Sequence, residues 1–190
     1  MATDDRLNRQ QLAGLPLAPI RSRQLLYDTH SEFIALSAQV RDSPESQRAE
    51  VFIRHRNVSR YVALSTRVPH AEPRNQVWLT TPVFSGDGTV FAVAHEVEAA
   101  PTELLESSLS RTAHPATFIG LVRFALPDLT VSLWHEEDWE ALELVEANPK
   151  RVVATIIRRG ANGGRVCMLA ALDWNERSCV DLGNFDNMYF

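Results

Sequence analysis

Short apolar runs separated by turn residues dominate the chain and predict a protein built mainly of β-hairpins. The clearest pair is 151–159 and 165–174, joined by the glycine-rich loop 160–164. Two strand-like runs around such a loop are typical of a hairpin. The same pattern predicts hairpins from 51–56 with 60–68, from 76–84 with 90–98, and from 117–126 with 129–134. Hairpins with short turns require antiparallel pairing of their strands.

Three segments show a spacing that favours helices instead. In 22–41 the apolar positions lie close to one helical stripe, with Ser22 as the N-cap. That stripe consists of Leu26, Phe33, Ile34, Leu36 and Val40. In 136–148, Trp139, Leu142 and Val145 step by three, acidic residues occupy the first turn, and Asn148-Pro149 ends the segment. A third, short helix is predicted over 102–110.

These elements together predict an α+β fold with a predominantly antiparallel sheet. We expect about 7–8 strands in hairpins, with two to three helices. The helices are too few and too irregularly spaced for repeated βαβ units. Residues 22–183 are predicted to form one domain, preceded by an extended arm over 1–21 and followed by an aromatic tail over 184–190.

The composition is that of a globular domain, and together with the cysteine usage it leads us to expect an intracellular setting. Hydrophobic residues make up 45% of the 190 residues and charged residues 23%, enough to bury a core. No apolar run reaches the length of a membrane span, and the N-terminus lacks the pattern of a secretory signal. The two cysteines, Cys167 and Cys179, do not make a disulfide framework. We therefore expect a reducing setting, cytoplasmic or virion, and no membrane partner.

Charge is distributed unevenly along the chain. The formal net charge is −5, and residues 76–150 alone carry −9. Nucleic acid is not an expected partner, because a DNA- or RNA-binding domain needs a basic surface. The acidic stretch 96–146 instead suggests a docking face for a basic protein, as in an immunity-type or adaptor protein. That is one alternative interpretation of the sequence.

The residue types that carry catalysis form no recognisable motif. His135 precedes three acids, but Trp139 stands where a zinc site of this kind would need its second histidine. His95 lies on a predicted strand beside apolar neighbours, and Cys167 and Cys179 are too far apart for a short structural zinc pair. We predict no catalytic, metal-binding or cofactor-binding residues and no cofactor. A hydrolase-like site made of histidine and acid residues that meet only in the fold stays an alternative.

The two termini and one hairpin tip carry the predicted contacts with other proteins. The terminal Met188-Tyr189-Phe190 would be an apolar liability if exposed, and must pack on this domain or on a neighbour. The predicted partner-binding residues are Leu15, Leu17, Arg21, Arg23, Arg158, Arg159, Arg165, Met188, Tyr189 and Phe190. They predict a non-enzymatic structural subunit that binds copies of itself or other subunits of a larger particle, such as a virus or phage virion. We therefore expect an oligomer.

Overall fold

The described part of the chain is almost entirely β-structure, arranged as three antiparallel sheets. The computed structural model describes residues 26–30, 32–41, 47–69, 76–97 and 116–184. Sheet A contains β1 (Leu26–Thr29), β2 (Phe33–Arg41), β3 (Gln47–His55) and β4 (Val62–Ala63). Sheet B contains β5 (Gln76–Phe84), β6 (Thr89–Val97), β7 (Thr117–Ala125) and β8 (Thr130–Trp134). Sheet C contains β9 (Trp139–Ala147), β10 (Arg151–Arg159), β11 (Arg165–Asp173) and β12 (Ser178–Asn184).

Each sheet is a simple meander in which strands that follow one another in sequence lie side by side. Every pairing is antiparallel, as the hairpin pattern predicted. The hairpins β5–β6, β7–β8 and β10–β11 lie where the sequence placed them, within one residue at each strand end. The hairpin predicted over 51–68 exists as β3–β4, but β4 has only two residues. A 3₁₀ turn, Ser65–Arg67, follows it.

The sheets stack in three layers, with sheet B in the middle. One core cluster joins sheets A and B and includes Val51, Leu79 and Phe124. A second cluster joins sheets B and C and includes Leu121, Trp139 and Ile156. Residues 90–94 of β6 are all buried, because side chains on both faces of the central sheet meet another layer. This burial on both faces is why the strand is a continuous apolar run and does not alternate.

The prediction of an α+β fold with helices was wrong. The segment 22–41 forms β1 and β2, and 136–148 forms β9; the described residues contain twelve strands and no α-helix. The apolar spacing of β2 resembles that of a helix because both faces of the strand are buried. Ala35 packs against sheet B, and Leu36 and Val40 lie on the other side. The helix predicted over 102–110 lies outside the described residues. So do most of the predicted arm and tail.

Strand β9 imitates a helix for a different reason, which is that two β-bulges interrupt its alternation. Its register with β10 skips Glu140 and Val145. The residues that face the core are therefore Trp139, Leu142, Leu144 and Ala147, spaced by three, two and three. A regular strand would show a spacing of two throughout, and an extra bulged residue adds one. The step of three from Trp139 to Leu142 that favoured a helix is thus the mark of a bulge, whereas the further step to Val145 leads to a bulged residue that is 57% exposed.

The described residues include no helix that is long and apolar enough to span a membrane.

Candidate binding surface

The side of sheet C that faces away from sheet B carries a continuous group of apolar residues. In the register of β10 with β11, Val153 lies opposite Ala171 and Ile157 opposite Cys167. Leu169 lies opposite Thr155 between them. We call this side the outer face of sheet C. Its apolar members are Ala141, Val153, Ile157, Cys167, Leu169, Ala171 and Val180.

The outer face is only partly shielded from water. Val180 is 50% exposed, and the bulged residues Val145 and Leu182 at the two edges are 57% and 53% exposed. Val153 and Ile157 are half-buried. A solvent-facing side of an antiparallel sheet normally carries polar residues at alternate positions. Five of the ten outward positions of β10 and β11 are apolar and lie together in the middle of the two strands, with Thr155 among them and arginine or aspartate at the ends. An exposed apolar group of this kind is typical of a face that contacts another molecule.

The two edge strands of sheet C are built differently. β9 has two bulges, carries Glu140, Glu143 and Glu146, and lies against β5 of sheet B. Bulges and charged residues are devices that prevent a strand edge from pairing with another chain. β12 has five consecutive exposed residues, 179–183, so it is uncovered on both faces. Its one bulge is at Leu182, near its end, and residues 178–181 pair regularly with β11.

The three arginines predicted to form a basic tip lie together between β10 and β11, and two carboxylates on or just before the neighbouring strand β9 offset part of their charge. Glu140 of β9 accepts a hydrogen bond from Nε of Arg165 at 2.6 Å and one from Nε of Arg159 at 3.3 Å. These two arginines hold the pKa of Glu140 below its ordinary value. Arg158 lies on the opposite side of the strand, 3.9 Å from Asp138. The tip is therefore partly neutralised by ion pairs, although the Arg159 and Arg165 side chains are 69% and 79% exposed.

An aromatic cluster closes one end of the interface between sheets B and C. Trp134 packs against Trp174 with ring centroids 5.9 Å apart. The guanidinium of Arg177 stacks 4.2 Å from the Trp174 centroid and 5.2 Å from that of Trp134. Glu136 accepts a hydrogen bond of 2.6 Å from Nε1 of Trp134. The cation–π site of this aromatic pair is thus occupied by a side chain of the protein itself.

A shallow polar cleft lies beside this cluster. It is bordered by the β5–β6 turn with Asp87, by Arg123 of β7, and by Lys150 and Arg151 at the β9–β10 turn. Asp87 accepts hydrogen bonds from the Ser85 hydroxyl and the Thr89 amide. Partial burial would raise the pKa of Asp87, but these hydrogen bonds, together with Arg123, lower it overall. About 10 Å³ of the cleft is open to a water-sized molecule, room for roughly one water.

The histidines singled out in the sequence are not joined to carboxylates in the described part of the chain. His95 and His135 pack on the ring of Phe118, with centroid distances of 5.8 and 5.7 Å. Burial lowers the pKa of His95, and His135 is exposed. Neither borders the polar cleft. Within the described ranges no group of three or more histidine, cysteine or acidic residues could hold a metal ion.

Seven of the predicted partner-binding residues cannot be placed. Leu15, Leu17, Arg21 and Arg23 of the arm, and Met188, Tyr189 and Phe190 of the tail, lie outside the described residues. Their roles stay predictions.

Sequence reasoning missed strand β12, which forms the open edge. The signal was short: only Val180, Asp181 and Leu182 alternate between apolar and polar after the turn, which is less than the four residues that mark a half-exposed strand. No family model matches the sequence, and no curated protein matches it either.

Proposed function

We propose that this chain is a non-enzymatic assembly subunit that binds other protein subunits through the outer face and the β12 edge of sheet C. The observation that carries the proposal is the apolar surface formed by the exposed Val180 and Leu182 together with the half-buried Val153, Ile157 and Leu169. Burial of such surface is the main driving force of stable protein association. A virus or phage particle, the assembly favoured by the sequence, is one that such a subunit would suit.

The arrangement of the remaining polar groups supports an assembly role over a catalytic one. A general base must lie within hydrogen-bond reach of its substrate, and a nucleophile needs a base beside it. In the described ranges, His95 and His135 face an aromatic ring, and the polar cleft has room for little more than a water molecule. A hydrolase-like site therefore gains no support from the residues that are described.

The acidic docking face is the second candidate, and one observation favours it. Glu137, Glu143 and Glu146 are exposed on β9 and on the segment that leads into it. Their neighbours Glu136, Asp138 and Glu140 already contact Trp134, Arg158 and the two arginines of the hairpin tip. The acidic surface that a basic partner would meet is thus smaller than the sequence suggested. Salt dependence separates the two candidates, because ion pairs weaken with ionic strength and apolar contacts do not.

The test uses the full-length chain and a pair of matched valines. Val180 is 50% exposed at the β12 edge, and Val58 is 49% exposed in the turn after β3. We expect the wild-type chain to associate in light scattering coupled to gel filtration. Val180→Lys combined with Leu182→Lys should abolish association, and Val58→Lys should leave it intact. Far-UV circular dichroism checks that all variants fold.

Two results would contradict the proposal. One is a wild-type chain that stays monomeric at every concentration and binds none of the subunits of its native particle. The other is association that survives the double lysine variant. A third pattern would favour the acidic face instead. In it, association survives the double lysine variant, disappears in high salt and is abolished by charge reversal at Glu137, Glu143 and Glu146.

A further inference from the structure

The backbone of β12 offers an unpaired hydrogen-bonding edge. Among the described residues, β12 pairs with β11 on one side only and is the last strand of its sheet. Alternate N–H and C=O groups along such a strand point away from the sheet. Residues 179–183 are all exposed, and the Gly183 N–H already donates to the Asp181 carboxylate at 2.8 Å, so the groups open to an incoming chain are those of residues 179–182. The chemistry that satisfies a row of alternating donors and acceptors is another β-strand.

We infer that β12 pairs antiparallel with β12 of a second copy of this chain, about a two-fold axis at Val180. This inference rests on the proposed assembly function and specifies which strands meet when two copies associate. The two copies of sheet C would form one continuous sheet. Their outer faces would then lie side by side as a single, wider apolar surface.

The register follows from the charges and backbone angles of the strand. An axis at Val180 places Val180 opposite itself and Asp181 opposite Cys179, so no like charges meet. An axis at Asp181 would set two aspartates directly opposite each other, which is destabilising. An axis at Cys179 would draw Arg177 into the ladder opposite Asp181. Arg177 has a φ of +51°, a left-handed turn conformation that no regular strand contains.

The placement of apolar residues agrees with this register. Val180 is on the outer face, opposite Ala171 of β11, and Ala171 lies opposite Val153 of β10. Two copies related at Val180 would therefore join these rows into one apolar row across the axis. The bulge at Leu182 limits the regular ladder to a few residues on either side of the axis. Such a short ladder supplies few of the contacts of the dimer, so a covalent trap is the measurement that tests the register directly.

The test places one cysteine on the proposed axis. In full-length protein with Cys167→Ala and Cys179→Ala, we introduce Val180→Cys and oxidise with diamide, which accepts the two electrons and two protons of the thiol pair. Directly opposite residues of an antiparallel pair have Cα atoms about 4.5 to 5.5 Å apart. A disulfide needs roughly 4.4 to 6.8 Å. We expect a disulfide-linked dimer on a non-reducing gel.

Two matched controls and one second variant complete the design. Val145→Cys is on the opposite edge of the same sheet and Val58→Cys is in sheet A, both at exposed valines; neither should cross-link above a dilute background. Asp181→Cys, with the native Cys179 retained and Cys167→Ala, should also dimerise. In the proposed register these two positions face each other in both copies.

The outcomes separate this inference from the proposed function. Cross-linking at 180 and between 179 and 181, with the controls unlinked, supports the inference. Equal cross-linking at 58, 145 and 180 would reflect random collision and overturn it. If neither trap forms while the wild-type chain associates and the lysine variant does not, the surface is correct and self-pairing is wrong. A wild-type chain that never associates would overturn both the self-pairing of β12 and the proposed function.

Discussion

The outward sides of the two outer sheets differ in how far they are shielded from water. On the side of sheet A that faces away from sheet B, Leu36 and Val40 are fully buried and Phe52 is 4% exposed. On the outer face of sheet C, Val180 is 50% exposed and the bulged Leu182 beside it 53%. Both sides are rich in aliphatic residues. The outward side of sheet A is thus covered and belongs to the core, while the apolar edge of sheet C at Val180 and Leu182 is open to solvent.

The placement of charge shows the same difference. Sheet A contains a fully buried carboxylate, Glu50, which accepts hydrogen bonds from the amide and the hydroxyl of Ser65 and from the Val51 amide. A buried charge is tolerated only with such partners. On sheet C, Glu140 and its two arginines lie at the rim, beside the apolar residues. An apolar centre with a polar rim is the usual arrangement of a protein–protein interface.

Removal of the buried Glu50 carboxylate of sheet A should have the largest effect on stability. Glu50→Ala would leave both donors of Ser65 without their acceptor and open a cavity. We expect a loss of about 3 kcal/mol or more in the free energy of unfolding. Glu143→Ala, at an exposed acid on the outer face of sheet C, should change it by less than about 0.5 kcal/mol. Urea unfolding of the two variants measures the difference.

The comparison would fail if the two variants lost similar stability. It would also fail if Glu50→Ala were tolerated and Glu143→Ala were not. Ser65→Ala gives an independent check, because it removes the hydroxyl donor while the amide of residue 65 can still bond to Glu50. We expect Ser65→Ala to be less destabilising than Glu50→Ala.

The elements of the fold that the sequence predicted are those whose signals are local. The β10–β11 hairpin was predicted because its strands flank the glycine-rich loop 160–164. β9 was not, since its bulges at Glu140 and Val145 replace alternation with steps of three. β2 was missed as well, because neighbouring sheets and clusters cover both of its faces. Burial on two sides is a property of the tertiary structure and erases the pattern that marks a strand.

The candidate surface was predictable only in part, for a similar reason. The position of the arginine tip was foreseen, but the ion pairs that offset part of its charge were not. Glu140 precedes Arg159 by 19 residues and Arg165 by 25, so the ion pairs exist only through strand pairing. The open edge at Val180 depends on which strand ends the sheet. A strand order of this kind cannot be obtained from the pattern of one strand alone.

A pair of identical substitutions gives a smaller but cleaner test of the two sides. Val40 of sheet A is fully buried, and Val180 of sheet C is 50% exposed. Val40→Ala removes two buried methyl groups and leaves a cavity, so we expect a loss of about 2 kcal/mol. Val180→Ala should cost less than about 0.5 kcal/mol at concentrations where the chain is monomeric. Equal losses in urea unfolding would mean that Val180 belongs to the core of the monomer.

The smallest expected effect concerns the chemistry of the open edge. Cys179 is an exposed residue, yet partial desolvation of its thiol raises its pKa, Asp138 and Asp181 add to the rise, and Arg158 opposes it. A raised pKa leaves less of the nucleophilic thiolate at a given pH. We therefore expect iodoacetamide to alkylate Cys179 a few times more slowly in the folded chain than in urea, at a pH slightly above neutral. The rate in the folded chain should continue to rise at pH values where the unfolded chain has levelled off, since the folded thiol ionises later. Mass spectrometry of the peptide that contains Cys179 measures both rates, with Cys167→Ala to remove the competing thiol.

A folded rate equal to the unfolded one across this range would show that the β12 edge leaves the thiol as well solvated as in an unfolded chain. The edge would then be more open than the structure indicates.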